Sequence, residues 1–371
     1  MNNTYTIAGT MSGTSLDGVD VAVLTTDGEA HLTPGNTGFT PYSDSERAIL
    51  QTAFDAGASM TDRRDRSGII GEAERIVTDV HIRALKEQIQ KSEKPVDHVG
   101  LHGQTIFHDP SRKLTVQIGD AQRIADELGL PIVHDLRQND VMQGGEGAPL
   151  APVFHAALIE ALGAVKPAIF LNIGGVANVT FVGKAREILA FDTGPGNALL
   201  DDLMQVHFGM RMDLDGAVAG RGRVKADIVE RLMSHSFFDR KPPKSLDRRE
   251  FHEFALTALG DSAAEDRMAT LTAFTADAIH RAQRWYPDAP QTVIVSGGGV
   301  KNPVMMTLLQ ALTPVKLQIA SDLGWDDVFI EANAFAYLAA RHLRGLPISF
   351  PGTTSVPEPM PGGEIAYPQG S

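Results

Sequence analysis

The chain has 371 residues, of which 43% are hydrophobic and 21% are charged, and this composition is typical of a soluble globular protein large enough for two domains. A net charge of −13 argues against a nucleic-acid partner, and the absence of cysteine excludes disulfides, thiolate metal sites and a cysteine nucleophile. Because no apolar stretch reaches the ~20 residues of a membrane helix and the N-terminus lacks a signal-peptide pattern, we expect a cytoplasmic protein without a membrane contact.

The first candidate site is the segment Gly9–Val23, which reads GTMSGTSLDGVDVAV. It follows one predicted strand, Tyr5–Ala8, and runs into a second, Val19–Leu24. The segment resembles a phosphate-binding loop, but it lacks the lysine of a Walker A loop and leads into a strand where a Walker A loop leads into a helix. The pattern therefore predicts a glycine-rich hairpin loop.

Such a loop suits the phosphates of a nucleotide, because glycine lets backbone N–H groups approach phosphate oxygens closely. Ser12, Thr14 and Ser15 would add hydroxyl donors. The carboxylate of Asp17 would repel phosphate, so a function there requires Mg²⁺ bound through water. The alternative is that Asp17 and Gly18 merely form a type I′ hairpin turn.

The next part of the chain predicts alternating helices and strands. A helical pattern over Arg63–Ser92 precedes the buried strand VDHVGLHGQT, which we expect to break at His102-Gly103. A helix from about Asp120 to Leu128 leads into the strand PIVHDL. The Gly/Pro-rich segment Asn139–Pro152 is the predicted crossing between domains.

The second half repeats this design. The segment Pro167–Gly183 again reads as strand, glycine turn and strand, and Gln291–Pro303 as a strand that runs into a glycine turn before a helix. The repetition favours a similar α/β unit in each half, although a crowded strand-to-helix turn would also need glycine. The candidate phosphate- and nucleotide-binding residues in this half are Gly174, Gly175, Asn178, Gly297, Gly298 and Gly299.

Asp192 is the predicted catalytic residue. It follows the apolar strand Ile188–Phe191 and precedes a Gly-Pro-Gly turn and a helix near Asn197. A carboxylate at the carboxyl end of a strand points into the crevice where α/β proteins bind ligands, and it could accept a proton from an attacking hydroxyl group or water. The alternative is a structural cap on the amides of Thr193 or Gly194.

Three other residues are candidates for substrate contacts. His102 ends a buried strand and could line a pocket, and Arg137 could pair with a substrate carboxylate in a fork geometry. An ordinary salt bridge explains Arg137 equally well. Glu331 begins an apolar helix over residues 330–344, where an acid usually complements the helix dipole. The Pro/Gly-rich tail, residues 345–371, predicts an irregular strap over the surface.

Seven motifs in order give the chain its family resemblance: GTMSGTSLDGVD, LHGQTIFHDP, HDLRQNDVMQGGEGAPLAP, LNIGGVANVTF, FDTGPGN, EANAFAYLA and FPGTTSVPEP. Together they resemble the anhydro-N-acetylmuramic acid kinases over nearly the whole chain. Three positions depart from that pattern. Glu146 stands where Gln is usual, Leu136 where Phe is usual, and Lys244–Phe251 reads KSLDRREF where KSTGRE is commoner.

The resemblance implies the actin/Hsp70/sugar-kinase architecture, with two ribonuclease-H-like domains and ATP in the cleft between them. The domains would be residues 1–148, with the strap 345–371 packed back on them, and residues 149–344. ATP and Mg²⁺ would be held by the two glycine hairpins, with a metal contact from Asp17 through water. The implied phosphate-loop residues are Ser12, Gly13, Thr14, Ser15, Leu16, Asp17, Gly18 and Val19.

The resemblance also implies a reaction, a sugar substrate and possible homodimer formation. Asp192 would activate a water molecule that opens the 1,6-anhydro ring, and O6 would take the γ-phosphoryl group of ATP. His102, Arg137 and Glu331 would contact the sugar, with Arg137 at its lactyl carboxylate. Two rival interpretations are a kinase acting on an ordinary sugar hydroxyl and an ATP-driven binding or scaffold protein.

Overall fold

The computed structural model describes residues 4–246 and 250–370. They form two compact units. Unit 1 runs up to Ala161 and resumes at Phe329, and unit 2 is Leu162–Val328. Within the described residues, no helix is both long and apolar enough to cross a membrane.

Strands and helices are numbered along the whole chain. The strands of unit 1 are β1 (Tyr5–Ser12), β2 (Gly18–Thr26), β3 (Leu32–Pro41), β4 (His98–Asp109), β5 (Leu114–Ile118), β6 (Ile132–His134) and β12 (Glu364–Ala366). Its helices are α1 (Asp44–Gly57), α2 (Ile69–Lys91), α3 (Ala121–Leu128), α4 (Gln138–Met142), α5 (Pro152–Ala161), α11 (Ile330–Leu343) and α12 (Pro351–Thr354). The strands of unit 2 are β7 (Ala168–Ile173), β8 (Val176–Val182), β9 (Ile188–Pro195), β10 (Thr292–Ser296) and β11 (Leu317–Ile319). Its helices are α6 (Ala198–Phe208), α7 (Ala226–Met233), α8 (His252–Leu259), α9 (Ala264–Arg281) and α10 (Pro303–Leu312).

The two sheets share one topology. In unit 1 the order is β12-β6-β4-β1-β2-β3, with β5 paired to β4, and in unit 2 it is β11-β10-β7-β8-β9. In each sheet the first strand pairs antiparallel with the second and parallel with the fourth, and the second also pairs antiparallel with the third. This is the ribonuclease-H-like strand order. The predicted repetition of one α/β unit is therefore confirmed.

Helix α11 packs directly on the sheet of unit 1 because two glycines in that sheet leave room for it. A Cβ atom on Gly9 would lie 2.1 Å from the carbonyl oxygen of Ala332, and one on Gly100 would lie 2.4 Å from that of Phe335. The helix is apolar on nearly all faces and is buried from Ala332 to Ala340. Gly9, which begins the first candidate loop, thus serves packing.

The boundaries predicted at 148/149 and 344/345 differ from the observed division. Helix α5 is apolar and buried, and it packs on α11, so both helices belong to unit 1. The Gly/Pro-rich segment around α4 also lies inside unit 1. The chain passes from one unit to the other at Ala161/Leu162 and at Val328/Phe329.

Several predicted elements have different limits. Helix α2 begins at Ile69 rather than Arg63, and β4 continues past His102 to Asp109, although Gly103 within it has a left-handed φ of 72°. The strap forms β12, which pairs antiparallel with β6. Sequence reasoning missed α1 and β3, whereas the helix after Asp120 was predicted correctly, and the Asp120 carboxylate accepts the Arg123 N–H at its start.

Candidate active site

The loop between β1 and β2 consists of residues 13–17. Its turn is closed by the Leu16 N–H, which donates to the Gly13 carbonyl oxygen at 3.2 Å, and Leu16 has a positive φ of 56°. Gly18 instead begins β2, where a Cβ atom would lie 2.3 Å from the Thr40 carbonyl oxygen. The alternative of a type I′ turn at Asp17-Gly18 is therefore wrong.

Ser12 does not present its hydroxyl to the surface of this loop. Its Oγ lies 3.0 Å from the Gly18 carbonyl oxygen, 2.5 Å from Gln104 Oε1 and 3.1 Å from Tyr42 Oη. Burial raises the pKa of Tyr42 to about 12, so this phenol stays protonated. In this arrangement Ser12 fixes the base of the loop, and the prediction that its hydroxyl contacts phosphate has no geometric support.

The tip of the loop is open to solvent. Thr14, Ser15 and Asp17 are exposed. The side chains of Leu16 and Val19 are buried in the core, so these two residues can offer a ligand their backbone alone. The loop thus combines exposed hydroxyl and carboxylate groups with a firmly packed base.

Asp17 is the candidate for a metal contact. Its side chain is 59% exposed and lies 3.7 Å from Arg47 in an ion pair. No group of three or more His, Asp or Glu residues that could hold a metal ion occurs in the part of the chain that the structure describes. A lone exposed carboxylate beside hydroxyls suits a Mg²⁺ whose other ligands are water and nucleotide oxygens.

The second glycine turn, Gly174-Gly175, joins β7 to β8. The carbonyl oxygens of both glycines accept hydrogen bonds from backbone N–H groups at the start of α6. The Gly175 oxygen accepts from Gly196 and Ala198, and the Gly174 oxygen accepts from Asn197, at distances of 2.8–3.1 Å. The carbonyl oxygen of Gly13 in the first loop is held in the same manner, by Leu16 and Gln104. Both hairpins are therefore anchored through their carbonyls.

Packing does not explain the glycines at these two turns. An added Cβ atom would be at least 3.5 Å from any neighbour at Gly13, Gly174 and Gly175, and none of the three has a left-handed φ. In the third glycine segment, by contrast, Gly297 has a φ of 88° and Gly299 is crowded by the Ile173 side chain at 2.3 Å. At the first two turns, neither packing nor a left-handed φ requires glycine. Close approach of a ligand to the backbone is a remaining reason for glycine there.

Asp192 lies within β9 rather than at its end. It pairs with Asn178 on β8 beside a register shift, since Ala177 pairs with Gly194. One carboxylate oxygen, Oδ2, accepts the Leu246 N–H at 2.7 Å, and the Asp192 N–H donates to the Lys244 carbonyl oxygen at 2.9 Å. The carboxylate therefore does not cap Thr193 or Gly194, and that alternative is wrong.

The surroundings of Asp192 suit proton transfer near neutral pH. Burial raises the pKa of Asp192 to about 7, while the hydrogen bond from Leu246 and the positive charge of Lys244 act in the opposite direction. A general base works best when its pKa lies near the working pH. Among the described residues, Oδ1 has no hydrogen-bond partner.

His102 and Arg137 are in contact inside unit 1. Arg137 donates from Nη2 to His102 Nε2 at 3.0 Å and from Nη1 to the Gly147 carbonyl oxygen at 2.9 Å, whereas its Nε is buried without a partner among the described residues. His102 Nδ1 lies 2.8 Å from the Gly103 carbonyl oxygen, to which it donates, and the ring packs against Phe335 at a tilt of 57°, with 4.6 Å between the ring centres. Arg137 therefore makes no ordinary salt bridge with any residue that the structure describes.

Charge and burial set the protonation of this cluster. Burial, helped by Arg137, holds the pKa of His102 well below its usual value, so the ring is neutral. The side chain of Glu331 reaches solvent. Desolvation by the surrounding protein nevertheless raises the pKa of Glu331, and the positive charge of Arg137 opposes that rise. The negative charge of Glu331 favours the charged form of Arg137, although the two residues form no ion pair in the described structure.

A cavity of about 410 Å³ adjoins His102 in unit 1. It lies beside the middle of β4, the end of β6 and the start of α3. Its lining includes Arg63, His134 and Asp135. Arg63 forms an ion pair with Asp135 there. The expectation that His102 lines a pocket is confirmed, while Arg137 and Glu331 are absent from the described lining.

Sequence reasoning missed the backbone segment 244–246, which covers Asp192. It is 52 or more positions away along the chain, and no local pattern signals that contact. The same segment begins the departure KSLDRREF, whose residues 247–249 lie outside the described part of the structure. Of the other departures, Leu136 is buried, and Glu146 has an exposed side chain while its carbonyl oxygen accepts a hydrogen bond from His108.

Two units of ribonuclease-H-like topology, each with a glycine hairpin between its first two strands, define the actin/Hsp70/sugar-kinase class of proteins. The chain belongs to the anhydro-N-acetylmuramic acid kinase family, which it matches over residues 5–368.

Individual relatives cover the whole chain. The anhydro-N-acetylmuramic acid kinase of Nitrobacter winogradskyi is 47% identical over 367 residues, which are 98% of this chain and 100% of that protein. A kinase of the same name from Rhodopseudomonas palustris is also 47% identical, with the same coverage. Among solved structures, the activator of the 2-hydroxyisocaproyl-CoA dehydratase from Clostridium difficile is similar at 12% identity, with a TM-score of 0.46, over 91% of this chain and 96% of that one.

Proposed function

We propose that the chain phosphorylates 1,6-anhydro-N-acetylmuramic acid with ATP while water opens the anhydro ring. Water adds to C1, the bond from C1 to the bridging oxygen breaks, and that oxygen, O6, takes the γ-phosphoryl group. The products are N-acetylmuramic acid 6-phosphate and ADP. The proton removed from water passes to the catalytic base and then to solvent, so the atoms balance.

The observation that carries this proposal is the setting of Asp192. An anhydro bridge has no proton to remove, so the base must act on water. Asp192 offers a carboxylate with one oxygen fixed by Leu246 and the other unpartnered in the described structure, and its pKa is about 7. At neutral pH such a group is partly ionised and can accept a proton from water.

The two hairpins would hold the phosphates of ATP. Gly13, Gly174 and Gly175 leave space at the backbone that packing does not use, and successive N–H groups form an anion-binding concavity. Thr14 and Ser15 offer exposed hydroxyls, and Asn178 lies on β8 close to the second turn. The Gly297–Gly299 segment would lie on the adenosine side.

Mg²⁺ would be bound by the exposed carboxylate of Asp17 through water, and when bound it would neutralise charge on the phosphates. His102, Arg137 and Glu331 would contact the sugar. The unpartnered Nε–H of Arg137 supports a role toward an anionic group such as the lactyl carboxylate, because a buried donor without a partner is costly. A cytoplasmic location and a homodimer stay predictions.

An ADP-release assay tests the proposed function. Anhydro-N-acetylmuramic acid is compared with glucose, N-acetylglucosamine and N-acetylmuramic acid, each with and without enzyme. With enzyme present, we expect ADP release from ATP with the anhydro sugar and not with the other three sugars. Equal turnover of an ordinary sugar hydroxyl would favour the rival sugar kinase, and slow ATP hydrolysis independent of sugar would favour the binding or scaffold protein.

A further inference from the structure

The backbone of residues 244–246 forms two hydrogen bonds with Asp192, one to its main chain and one to its carboxylate. The Lys244 carbonyl oxygen accepts the Asp192 N–H at 2.9 Å, and the Leu246 N–H donates to Oδ2 at 2.7 Å. The segment itself forms no helix or strand in the described structure, but the side chain of Leu246 is buried in the core of unit 2. The side chain of Lys244 provides a second anchor at the start of the segment.

The ammonium group of Lys244 is anchored on the turn 236–239. Its Nζ donates to the carbonyl oxygens of Phe237 at 3.0 Å and Phe238 at 3.4 Å. It also lies 4.2 Å from the centre of the Phe237 ring and 5.9 Å from that of Trp285, in cation–π contacts. Lys244 is half-buried, so these contacts replace part of its hydration shell.

We propose that Lys244 is a positioning residue for Asp192: it fixes the segment that orients the carboxylate and supplies the positive charge that favours its ionised form. This inference rests on the proposed function of Asp192 as a general base. It adds a role for a residue outside the predicted phosphate loops and the predicted sugar contacts. Lys244 acts through the base, not on the reacting atoms.

The charged groups around Lys244 act on its ammonium group in opposite directions. The positive charges of Arg284 and Arg240 disfavour its ammonium form, whereas the negative charges of Asp192 and Asp239 favour it. Burial and the two arginines lower the pKa of Lys244 to about 8. Among the charged groups, Lys244 is the one whose field lowers the pKa of Asp192 in the described structure.

Three substitutions separate charge from anchoring. Lys244→Gln removes the charge but keeps N–H donors for the Phe237 and Phe238 carbonyls, Lys244→Met removes both, and Lys244→Arg keeps both. Lys241→Gln is the matched control, because Lys241 is exposed and three positions away. The readout is kcat/KM for the anhydro sugar from about pH 5 to about pH 9.

We expect the acidic limb of the profile to lie near pH 7 in the parent enzyme. It should move up by about one pH unit in Lys244→Gln and Lys244→Met, because an opposing charge has been removed. Lys244→Arg and Lys241→Gln should keep the parent limb. An unmoved limb in Lys244→Gln, or an equal movement in Lys241→Gln, would overturn the proposal; if Lys244→Met does not fold, Lys244→Gln carries the test.

A second measurement needs no activity. The difference in Tm between the parent and Asp192→Asn, followed against pH, reports the titration of Asp192. Repeated in the Lys244→Gln background, this titration should move up by the same amount, and no movement would contradict the role of Lys244. If the parent releases no ADP with the anhydro sugar, the proposed function fails, while this measurement still decides on Lys244.

Discussion

Strands β3 and β9 hold the same position in two sheets of the same topology, yet they differ in chemistry. Strand β3 carries no acidic residue, and all of its residues are exposed or half-buried. Strand β9 carries Asp192, and residues 244–246 cover that carboxylate. The comparison shows that the same strand order can carry different chemistry. In unit 2, a segment from a distant part of the chain provides the polar contacts of Asp192.

The hairpins of the two sheets make the opposite point. Residues 13–17 and Gly174-Gly175 differ in length and sequence, but both are anchored through carbonyl oxygens and both contain glycines that packing does not require. Phosphate binding would thus use what the two units share, and proton transfer would use what only unit 2 has in the described structure.

The most severe test of this division is Asp192→Asn. We expect kcat to fall by about 10³-fold, since general-base catalysis contributes ~10²–10⁴-fold, while ATP binding persists. Single-turnover kinetics with the anhydro sugar and nucleotide titration would measure both. Asp227→Asn, at an exposed position of unit 2, is the control. Near-parent turnover would refute the role of Asp192.

The same substitution should change stability in a pH-dependent way. Because folding raises the pKa of Asp192 from 3.8 to about 7, the protonated carboxyl is the form that the fold favours. That contribution is complete below pH 3.8 and is lost as the pH rises through about 7. Asp192→Asn should therefore stabilise unit 2 at pH 8 by about 2 kcal/mol, and little at pH 4. Thermal unfolding at the two pH values measures this, and an equal effect at both would be inconsistent with a raised pKa.

Paired glycine substitutions separate packing from ligand approach. Gly18→Ala places a Cβ atom 2.3 Å from the Thr40 carbonyl oxygen and should cost about 1–3 kcal/mol of stability. Gly175→Ala has 3.7 Å of space and should change stability by less than ~0.5 kcal/mol. We expect Gly175→Ala to raise the KM for ATP about tenfold, or ~1.4 kcal/mol. An unchanged KM would remove the argument for the second hairpin.

The smallest effect concerns Asp17. Asp17→Ala should raise the Mg²⁺ concentration needed for half-maximal activity about threefold, since the residue acts through water. Arg47→Ala removes the same exposed ion pair but keeps the carboxylate, so it should leave the Mg²⁺ requirement unchanged. Titrations of activity with Mg²⁺ compare the two, and identical curves for Asp17→Ala and the parent would leave Asp17 without a metal role.

The sequence predicts the two repeated units because apolar strands that end in glycine turns leave a strong local pattern. It locates the two glycine hairpins for the same reason, but it places Asp192 at the end of a strand, whereas the residue lies within β9. It does not reveal that α11 belongs to unit 1, because this depends on how closely a helix can approach Gly9 and Gly100. Nor does it reveal the contact of Lys244 and Leu246 with Asp192, which spans more than 50 positions and has no periodic signature.

The central claim is that water, activated by Asp192, opens the anhydro ring and so frees O6 for phosphorylation. Turnover in ¹⁸O-water measures this directly, with the product analysed by mass spectrometry before its anomeric oxygen exchanges. The account predicts one ¹⁸O atom at C1 and none in the phosphate. A product without label at C1 would contradict it.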